Sequence, residues 1–410
     1  MGGMGREPGA AKNHRKKSMT KKTDTILTHA GSNPHEYHGA VSVPVHRMST
    51  VVFKSYAEFE EAEKTYEGAE MPDAPFAYGR VGTPTSAAFE DAIAAIEGAY
   101  KSLSTCSGLA AILTALTAFT AAGDHILMPD NCYGPNRRAC EEVLRKYGVD
   151  VEYYPPLTKD ITKLFKANTK LVFIEAPGSI TFEISDIGAI VSAAKKAGIK
   201  VAMDNSWATP LFLKPLELGV DVSVMSATKY ISGHSDAVLG VVSATPESWP
   251  AVKRAAIVLG LCAGSEELYL ATRGLRTLHV RMERHQKSAF DIAQWLEKHP
   301  AVKRVLHPAL PSCPGHDNWK KYYKGSSGTF GIVLKESRRE KAAAMLDGMR
   351  VFRTGLSWGG FESLLFPKQP HTCRTAEPWN EDGFSLRLHI GLEDVGDLKD
   401  DLEAGFGRLK

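Results

Sequence analysis

Between residues 86 and 245, short apolar runs alternate with amphipathic segments, and this alternation limits the possible folds more than any other feature of the chain. A run such as 171–174 has no polar side, so a strand formed by it must be covered on both faces. The segments between the runs show helical spacing, and glycines follow three of them. The pattern predicts parallel strands joined by crossover helices, hence an α/β fold with a mostly parallel sheet. We expect strands at 125–129, 171–175, 201–204, 222–225 and 238–243, and helices at 86–97, 109–121, 136–146 and 186–197.

After about residue 275 the order of elements changes. We expect a long helix, a strand at 329–334, a helix near 341–349, a strand near 384–390 and a closing helix from Asp394. This order is typical of a smaller α+β domain. The sequence therefore predicts four parts: a disordered basic tail at 1–22, an N-terminal arm at 23–80 that contacts a neighbouring subunit, an α/β domain at 81–275 and a C-terminal α+β domain at 276–410.

Positive charge is concentrated in the tail, which holds seven of the 50 Lys and Arg residues and one acid, Glu7. The remaining 43 basic and 46 acidic residues make the body slightly acidic, which gives no reason to expect binding of nucleic acid. The tail has the composition of a disordered leader or an expression remnant, and because it is basic and poor in acids it also allows a transit peptide.

No apolar run approaches the ~18 residues needed to cross a bilayer, so we expect a soluble protein without membrane contact. The six cysteines show neither CxxC nor zinc-ligand spacing. Such scattered cysteines are typical of reduced thiols in a cytoplasmic protein, and we expect no metal site. They are Cys106, Cys132, Cys140, Cys262, Cys313 and Cys373.

The first candidate for chemistry is Lys229, in a polar turn directly after the apolar run 222–225. Open α/β sheets bind ligands at the carboxyl ends of their strands. Partial burial there would lower the pKa of the lysine, so that its neutral amine could attack a carbonyl carbon. Ser226 and Thr228 would bring hydroxyls beside it for a phosphate group. Taken alone, the Ser-x-Thr-Lys pattern also suits a lysine in a surface loop.

A carboxylate ends the preceding apolar run, at Asp204. An anion at a buried strand end is costly unless it meets a cation, and a protonated pyridine nitrogen is such a cation. Alone, Asp204 could equally be a metal ligand or a helix cap. Followed about 25 residues later by Lys229, it has the usual spacing of a pyridoxal-phosphate site.

A third candidate is the small polar loop Ser107-Gly108-Leu109, which opens a strongly helical segment. Free backbone N–H groups and the positive end of the helix dipole would suit a phosphate. A Ser-Gly helix start is common, and by itself it indicates a helix cap.

From Thr23 to the end, the chain resembles the cystathionine-metabolising family of pyridoxal-phosphate enzymes, which have fold type I. The resemblance runs through several independent blocks in order. These blocks are Tyr78-Gly-Arg80-Val-Gly-Thr-Pro84-Thr, Ser107-Gly-Leu, Asn131-Cys-Tyr133-Gly, Glu175-Ala-Pro-Gly-Ser179, Asp204-Asn, Ser226-Ala-Thr-Lys229-Tyr, Gly233-His-Ser-Asp236 and Arg387-Leu-His-Ile-Gly-Leu-Glu393.

The resemblance implies roles for individual residues. Lys229 would carry pyridoxal 5'-phosphate as a Schiff base, and Tyr133 would stack on its ring. Tyr78 and Arg80 would reach the cofactor phosphate of a neighbouring subunit, which makes a dimer the minimal active unit. Arg387 would hold the substrate α-carboxylate through a bidentate pair. Without the resemblance, Tyr133 would be interpreted as a core residue and Arg387 as a partner in a structural salt bridge. Tyr78 and Arg80 would be two surface residues in a turn.

Within the family, Ser357-Trp358-Gly-Gly-Phe-Glu362-Ser resembles the bacterial β-lyases, whereas the Tyr78 block resembles the γ-type subgroup. The implied reaction is β-elimination of L-cystathionine to L-homocysteine, pyruvate and ammonia, in methionine biosynthesis. Ser357 would orient the substrate, which Tyr78 would also contact, and Trp358 would shape the pocket for its distal arm.

Four other activities stay open on this scaffold: those of a cystathionine γ-lyase, a γ-synthase, a methionine γ-lyase and a broad cysteine-S-conjugate β-lyase. A catalytically silent scaffold protein is the non-enzymatic alternative. The family resemblance further implies a homo-oligomer, with a tetramer built from dimers that share active sites.

Overall fold

The computed structural model describes residues 21–67 and 76–409. The expected disordered tail at 1–22 lies almost wholly outside these ranges. Within them, none of the helices combines the length and the apolar character that crossing a bilayer requires. The described helices are α1 Thr23–His29, α2 Tyr56–Glu67, α3 Pro84–Glu97, α4 Gly108–Ala118, α5 Gly134–Ala139, α6 Ile187–Lys196, α7 Thr209–Phe212, α8 Trp249–Leu259, α9 Ser265–Leu275, α10 Leu278–Glu297, α11 His316–Tyr322, α12 Arg339–Asp347 and α13 Val395–Gly407.

The strands form two sheets. The large sheet has the order β1-β7-β6-β5-β4-β2-β3, and the small sheet has the order β10-β11-β12-β9-β8. The strands are β1 Lys101–Thr105, β2 His125–Pro129, β3 Asp150–Tyr154, β4 Thr169–Glu175, β5 Lys200–Asp204, β6 Val222–Met225, β7 Gly240–Ala244, β8 Val302–Leu306, β9 Thr329–Leu334, β10 Arg353–Thr354, β11 Leu364–Pro367 and β12 Ser385–His389.

Apolar side chains cover both faces of the large sheet. In β4, Leu171 and Phe173 pack on one face with α4 and α8, whereas Val172 and Ile174 pack on the other with α3 and α6. This explains why the strand sequence is continuously apolar. A third apolar cluster lies between the small sheet and helices α10, α12 and α13.

The expected α/β architecture with a smaller α+β region is therefore present, but three details differ. The run 238–243 was grouped with runs typical of parallel strands, whereas the strand there, β7, runs antiparallel to both of its neighbours in a sheet that is otherwise parallel, as the expected mostly parallel sheet allows. The strand β1 was missed because its sequence Lys-Ser-Leu-Ser-Thr is mostly polar, although Ser102 is buried and bonds Ser243 on β7 at 2.7 Å. The edge strand β3, and β8, β10 and β11 of the small sheet, were also missed. The segment expected as one helix at 136–146 is α5 followed by a π turn at Cys140–Leu144 and a 3₁₀ turn at Arg145–Tyr147.

Candidate active site

The carboxyl ends of three strands meet at one edge of the large sheet. Strand β4 ends at Glu175, β5 ends at Asp204, and β6 leads into the turn that carries Lys229. Together with the loop after β1, they line a cavity of about 250 Å³. Such an edge is where open α/β sheets bind ligands. Its wall is formed by Ser107, Gly108, Leu109, Ile112, Tyr133, Glu175, Pro177, Gly178, Ser179, Ile180, Phe182, Asp204, Ser206, Trp207, Ser226, Thr228, Lys229, Val238, Thr329, Trp358 and Arg387.

Lys229 is half-buried, and its Nζ donates a hydrogen bond to Ser357 Oγ at 2.7 Å. Burial lowers its pKa to about 8, and the nearby Arg387 guanidinium acts in the same direction, whereas Asp204 opposes the shift. The amine therefore exists partly in its neutral, nucleophilic form near neutral pH. The Nζ atom also lies 5.3 Å from the ring centroid of Trp358.

Close packing of two glycines brings the loops of the cavity together. A Cβ at Gly108 would lie 2.5 Å from the Ser226 side chain, so only glycine lets the start of α4 approach the β6 turn. Gly359 has φ +91°, and a Cβ there would lie 2.8 Å from the backbone of Lys229. The second contact fixes the turn carrying Ser357 and Trp358 against the lysine.

Asp204 lies next to the other carboxyl group at the sheet edge, because Glu175 is its partner in the parallel register of β4 and β5. An Asp204 oxygen accepts the backbone N–H of Ser206 at 2.8 Å. Burial raises the pKa of Asp204 above its ordinary value, whereas the Ser206 bonds and the charge of Lys229 act against that shift. A cation bound beside Asp204 would stabilise its ionised form further.

The sequence predictions missed Glu175 as a site residue. Its side chain is only 8% exposed, and it accepts the backbone N–H of Tyr133 at 2.7 Å. The signal that identified Asp204, an acid ending an apolar run, is also present here, since Glu175 ends the run 171–175.

The amino end of α4 opens toward the cavity. The Ser107 hydroxyl caps the helix by accepting the backbone N–H of Ala110 at 3.1 Å. The first amides of the helix, at Gly108 and Leu109, thus remain available to an anion. The hydroxyl of Thr228 donates to the Leu239 carbonyl and accepts the Leu239 N–H, both at 3.0 Å.

Arg387 lies on β12 of the small sheet and is 7% exposed. Its Nη2 donates to the carbonyl oxygens of Leu356 at 2.7 Å and Ser357 at 3.1 Å. Burial lowers its pKa to about 10. In the described ranges it forms no ion pair with a carboxylate, so a buried guanidinium faces the cavity with capacity for an external carboxylate.

Two aromatic side chains complete the wall. Tyr133 is 40% exposed at the start of α5, and the Trp358 ring packs on Tyr230 with centroids 5.4 Å apart.

Tyr78 and Arg80, by contrast, do not line this cavity. Arg80 Nη1 donates to the Ile257 carbonyl at 2.8 Å, and Arg80 lines a second cavity. The sequence assigned both residues to the site of a neighbouring subunit, and that assignment stays a prediction.

Comparisons with known proteins agree with this geometry. A family model described as Cys/Met metabolism PLP-dependent enzyme matches residues 24–407. A Wolbachia pipientis wMel protein named L-alanine/L-glutamate racemase is 44% identical over 394 residues, covering 95% of this chain and 98% of that protein. The cystathionine β-lyase MetC of Escherichia coli strain K12 is 40% identical over 396 residues, covering 95% and 99%.

A solved structure is also similar: the cystathionine γ-synthase of Xanthomonas oryzae pv. oryzae, in complex with aminoacrylate and cysteine. It has a TM-score of 0.86 and 32% identity, and the match covers 95% of this chain and 99% of that one. Together, the comparisons confirm the expected fold class and the expected cofactor, pyridoxal phosphate.

The cavity residues fit this cofactor. An amine of lowered pKa, a strand-end carboxylate and the amino end of α4 face one space, and the close approach of Gly108 to Ser226 leaves backbone amides accessible. The amine can bind the aldehyde of the cofactor, the carboxylate can bind its pyridine nitrogen, and the amino end of α4 can bind its phosphate.

Capture of the cofactor by the apoprotein should depend on pH as the Lys229 amine does. With a pKa of about 8, about a tenth of the amine is neutral at pH 7, far more than for an ordinary lysine. The capture rate, followed by stopped-flow absorbance, should rise with pH and level off above about pH 9. A midpoint near the ordinary lysine value of 10.5 would contradict this, and Lys229→Ala is the control that should give no such signal.

Proposed function

The chain belongs to the Cys/Met metabolism PLP-dependent enzymes, and we propose that it is a cytoplasmic enzyme of methionine biosynthesis that converts L-cystathionine to L-homocysteine, pyruvate and ammonia. The observation that carries the proposal is the meeting, in one cavity, of the Lys229 amine, the Asp204 carboxylate and the buried guanidinium of Arg387. Those three groups are what proton abstraction beside an amino-acid carboxylate requires.

Two observations favour β-elimination over the other reactions of this family. Ser357-Trp358-Gly-Gly-Phe-Glu-Ser resembles the bacterial β-lyases, and the Escherichia coli relative carries the β-lyase name. The racemase and γ-synthase names of the other relatives mean that the scaffold alone does not determine the reaction. A product assay must therefore determine which group leaves the substrate.

Several residues would hold the cofactor. The amides of Gly108 and Leu109, with the hydroxyls of Ser107 and Ser226, would bind its phosphate. The Thr228 hydroxyl would join them by exchanging its bond to the Leu239 carbonyl for one to the phosphate. Lys229 would bind its aldehyde carbon, Asp204 would bind its ring nitrogen, and Tyr133 would stack on its ring. When bound, the cofactor supplies an electron sink for the negative charge that develops at the substrate α-carbon.

The chain's own groups then orient the substrate and move a proton. Arg387 would bind the α-carboxylate through two parallel hydrogen bonds, which fixes the α-carbon relative to Lys229. Once the substrate's amino group has displaced Lys229 from the aldehyde carbon, the freed neutral Lys229 amine would take the α-proton at Nζ. Ser357 Oγ, 2.7 Å from Nζ, would orient that nitrogen. The bond between the β-carbon and sulfur breaks, and sulfur leaves with the electron pair as the homocysteine thiolate. Hydrolysis of the three-carbon remainder gives pyruvate and ammonia.

Trp358 would form the wall beside the distal arm of the substrate, since its ring lies close to the Lys229 amine and is supported by Tyr230. Exposed apolar side chains at the adjacent Leu356, and at Val238 on the cavity wall, extend this surface outward. A thioether chain would contact such a surface favourably.

A product assay tests the reaction directly. The holoprotein with L-cystathionine should release pyruvate and L-homocysteine in equal amounts, measured in the same samples, and Lys229→Ala should release neither because it lacks the base. α-Ketobutyrate with cysteine would contradict the β-lyase proposal and indicate a γ-lyase. Release of pyruvate from simple cysteine S-conjugates but not from cystathionine would indicate the broad lyase, and conversion of L-alanine to its enantiomer without elimination would indicate a racemase.

We further propose that the protein is a homo-oligomer, with Tyr78 and Arg80 completing the site of a neighbouring subunit and Tyr78 also contacting its substrate. In support, both residues lie away from their own chain's cavity. A tetramer built from such dimers is the assembly that the family resemblance favours.

Subunit mixing tests this sharing of sites. Lys229→Ala and Arg80→Ala proteins should each be nearly inactive, but after denaturation and refolding together they should recover about a quarter of the wild-type activity. The reason is that about half of randomly formed dimers are mixed, and each has one intact site of two. Absence of recovery in a mixture shown to contain mixed oligomers would mean that Arg80 acts within its own chain.

A further inference from the structure

Two carboxyl groups lie side by side at the sheet edge of the cavity, and the proposed reaction uses only one of them. Glu175 and Asp204 are register partners at the ends of the parallel strands β4 and β5, and both line the cavity. Glu175 accepts the backbone N–H of Tyr133 at 2.7 Å, and the backbone amide of Ser179, which donates to the Asn131 carbonyl at 2.9 Å, also favours its ionised form. Its chemistry therefore differs from that of Asp204, which feels the charge of Lys229.

Two adjacent buried carboxyl groups cannot both ionise without a large cost, since the second charge is repelled by the first in a medium of low polarity. Burial and the neighbouring Asp204 hold the pKa of Glu175 well above its ordinary range, while the backbone amides of Tyr133 and Ser179 only partly oppose that shift. The other titratable groups that face Glu175 are Cys132, Tyr133 and Tyr154, which are neutral near pH 7. Asp204 faces the cationic side of the cavity and is the group that ionises.

We propose that Glu175 is a positioning residue of the cofactor site, which holds the Tyr133 turn through its side chain and, as the neutral member of the carboxyl pair, leaves the negative charge on Asp204. The inference rests on the proposed function only in that the cavity binds pyridoxal phosphate through Asp204 and Tyr133.

The backbone bond matters because it positions the residue from which the Tyr133 ring projects into the cavity wall, where the residue is 40% exposed. Glu175 connects that backbone to the end of β4, a strand whose side chains are almost all buried. Other hydrogen bonds, such as that from Cys132 N–H to the Pro129 carbonyl at 3.1 Å, still hold the turn. Loss of the Glu175 connection would therefore shift the Tyr133 backbone and its stacking ring while the fold keeps its core.

Two substitutions separate the roles of shape and charge. Glu175→Gln keeps an acceptor for the Tyr133 amide and stays neutral at every pH, whereas Glu175→Ala removes that acceptor. We expect the Kd of Glu175→Gln for pyridoxal phosphate to lie within about threefold of the wild-type Kd. The Kd of Glu175→Ala should be at least about tenfold higher than that of the wild type. The measurement is fluorescence titration of the apoprotein, without any amino-acid substrate.

Glu97 offers a matched control, because it is also a fully buried glutamate whose pKa burial raises, to about 7, but it does not line the cavity. Glu97→Gln and Glu97→Ala should leave the Kd for the cofactor unchanged, with thermal unfolding of each apoprotein reporting on the fold. An equal loss of affinity in Glu97→Ala and Glu175→Ala would overturn the proposal, since the effect would then be general destabilisation. Wild-type affinity in Glu175→Ala would overturn it as well.

A spectroscopic titration tests the charge assignment. If Glu175 is neutral, Glu175→Gln changes no charge, and the pH midpoint of the bound cofactor's absorbance should match that of the wild type. If Glu175 were ionised, its replacement would remove a negative charge beside a cation and lower that midpoint by about one unit or more. Such a shift would overturn the proposal. Because neither readout involves cystathionine, a failure here is distinguishable from failure of the β-lyase assignment.

Discussion

The site depends on one constraint: parallel strands that are buried on both faces must end together at one edge of their sheet. In the large sheet this edge gathers groups that are far apart in the chain, from the helix start at Ser107 to the lysine at 229. The same burial that forms the core removes water from the groups at the edge. As a result, the pKa of Lys229 falls to about 8, while the pKa values of Asp204 and Glu175 rise. The fold thus produces both the geometry and the reactivity.

The small sheet supplies the remaining part of the site. Strand β12 carries Arg387, whose guanidinium holds the carbonyls of Leu356 and Ser357. Gly359 packs directly on the backbone of Lys229, which keeps Ser357 within hydrogen-bond distance of the amine. A larger residue at 359 would separate these loops, so the contact couples the position of Arg387, the proposed substrate-binding residue, to that of Lys229, the proposed base.

The sequence predicted those features that depend on local patterns. Continuously apolar runs identified β2, β4, β5 and β6, and polar residues ending two of the runs pointed to Asp204 and Lys229. Strand β1 was missed because serine pairs such as Ser102 and Ser243 satisfy each other inside the sheet, which no periodicity reveals. The antiparallel direction of β7 depends on tertiary pairing. Glu175 carried the same signal as Asp204 and was overlooked. The proposed action of Tyr78 and Arg80 in a neighbouring subunit would depend on a second chain.

The central claim is that Lys229 is the residue to which the cofactor is covalently attached. Reduction of the holoprotein with sodium borohydride, followed by proteolysis and mass spectrometry, tests this claim most directly. We expect a single stable pyridoxyl modification on the peptide that contains Lys229, at a stoichiometry near one per chain. A modification on another lysine, or no modification in protein that retains its bound cofactor, would contradict it.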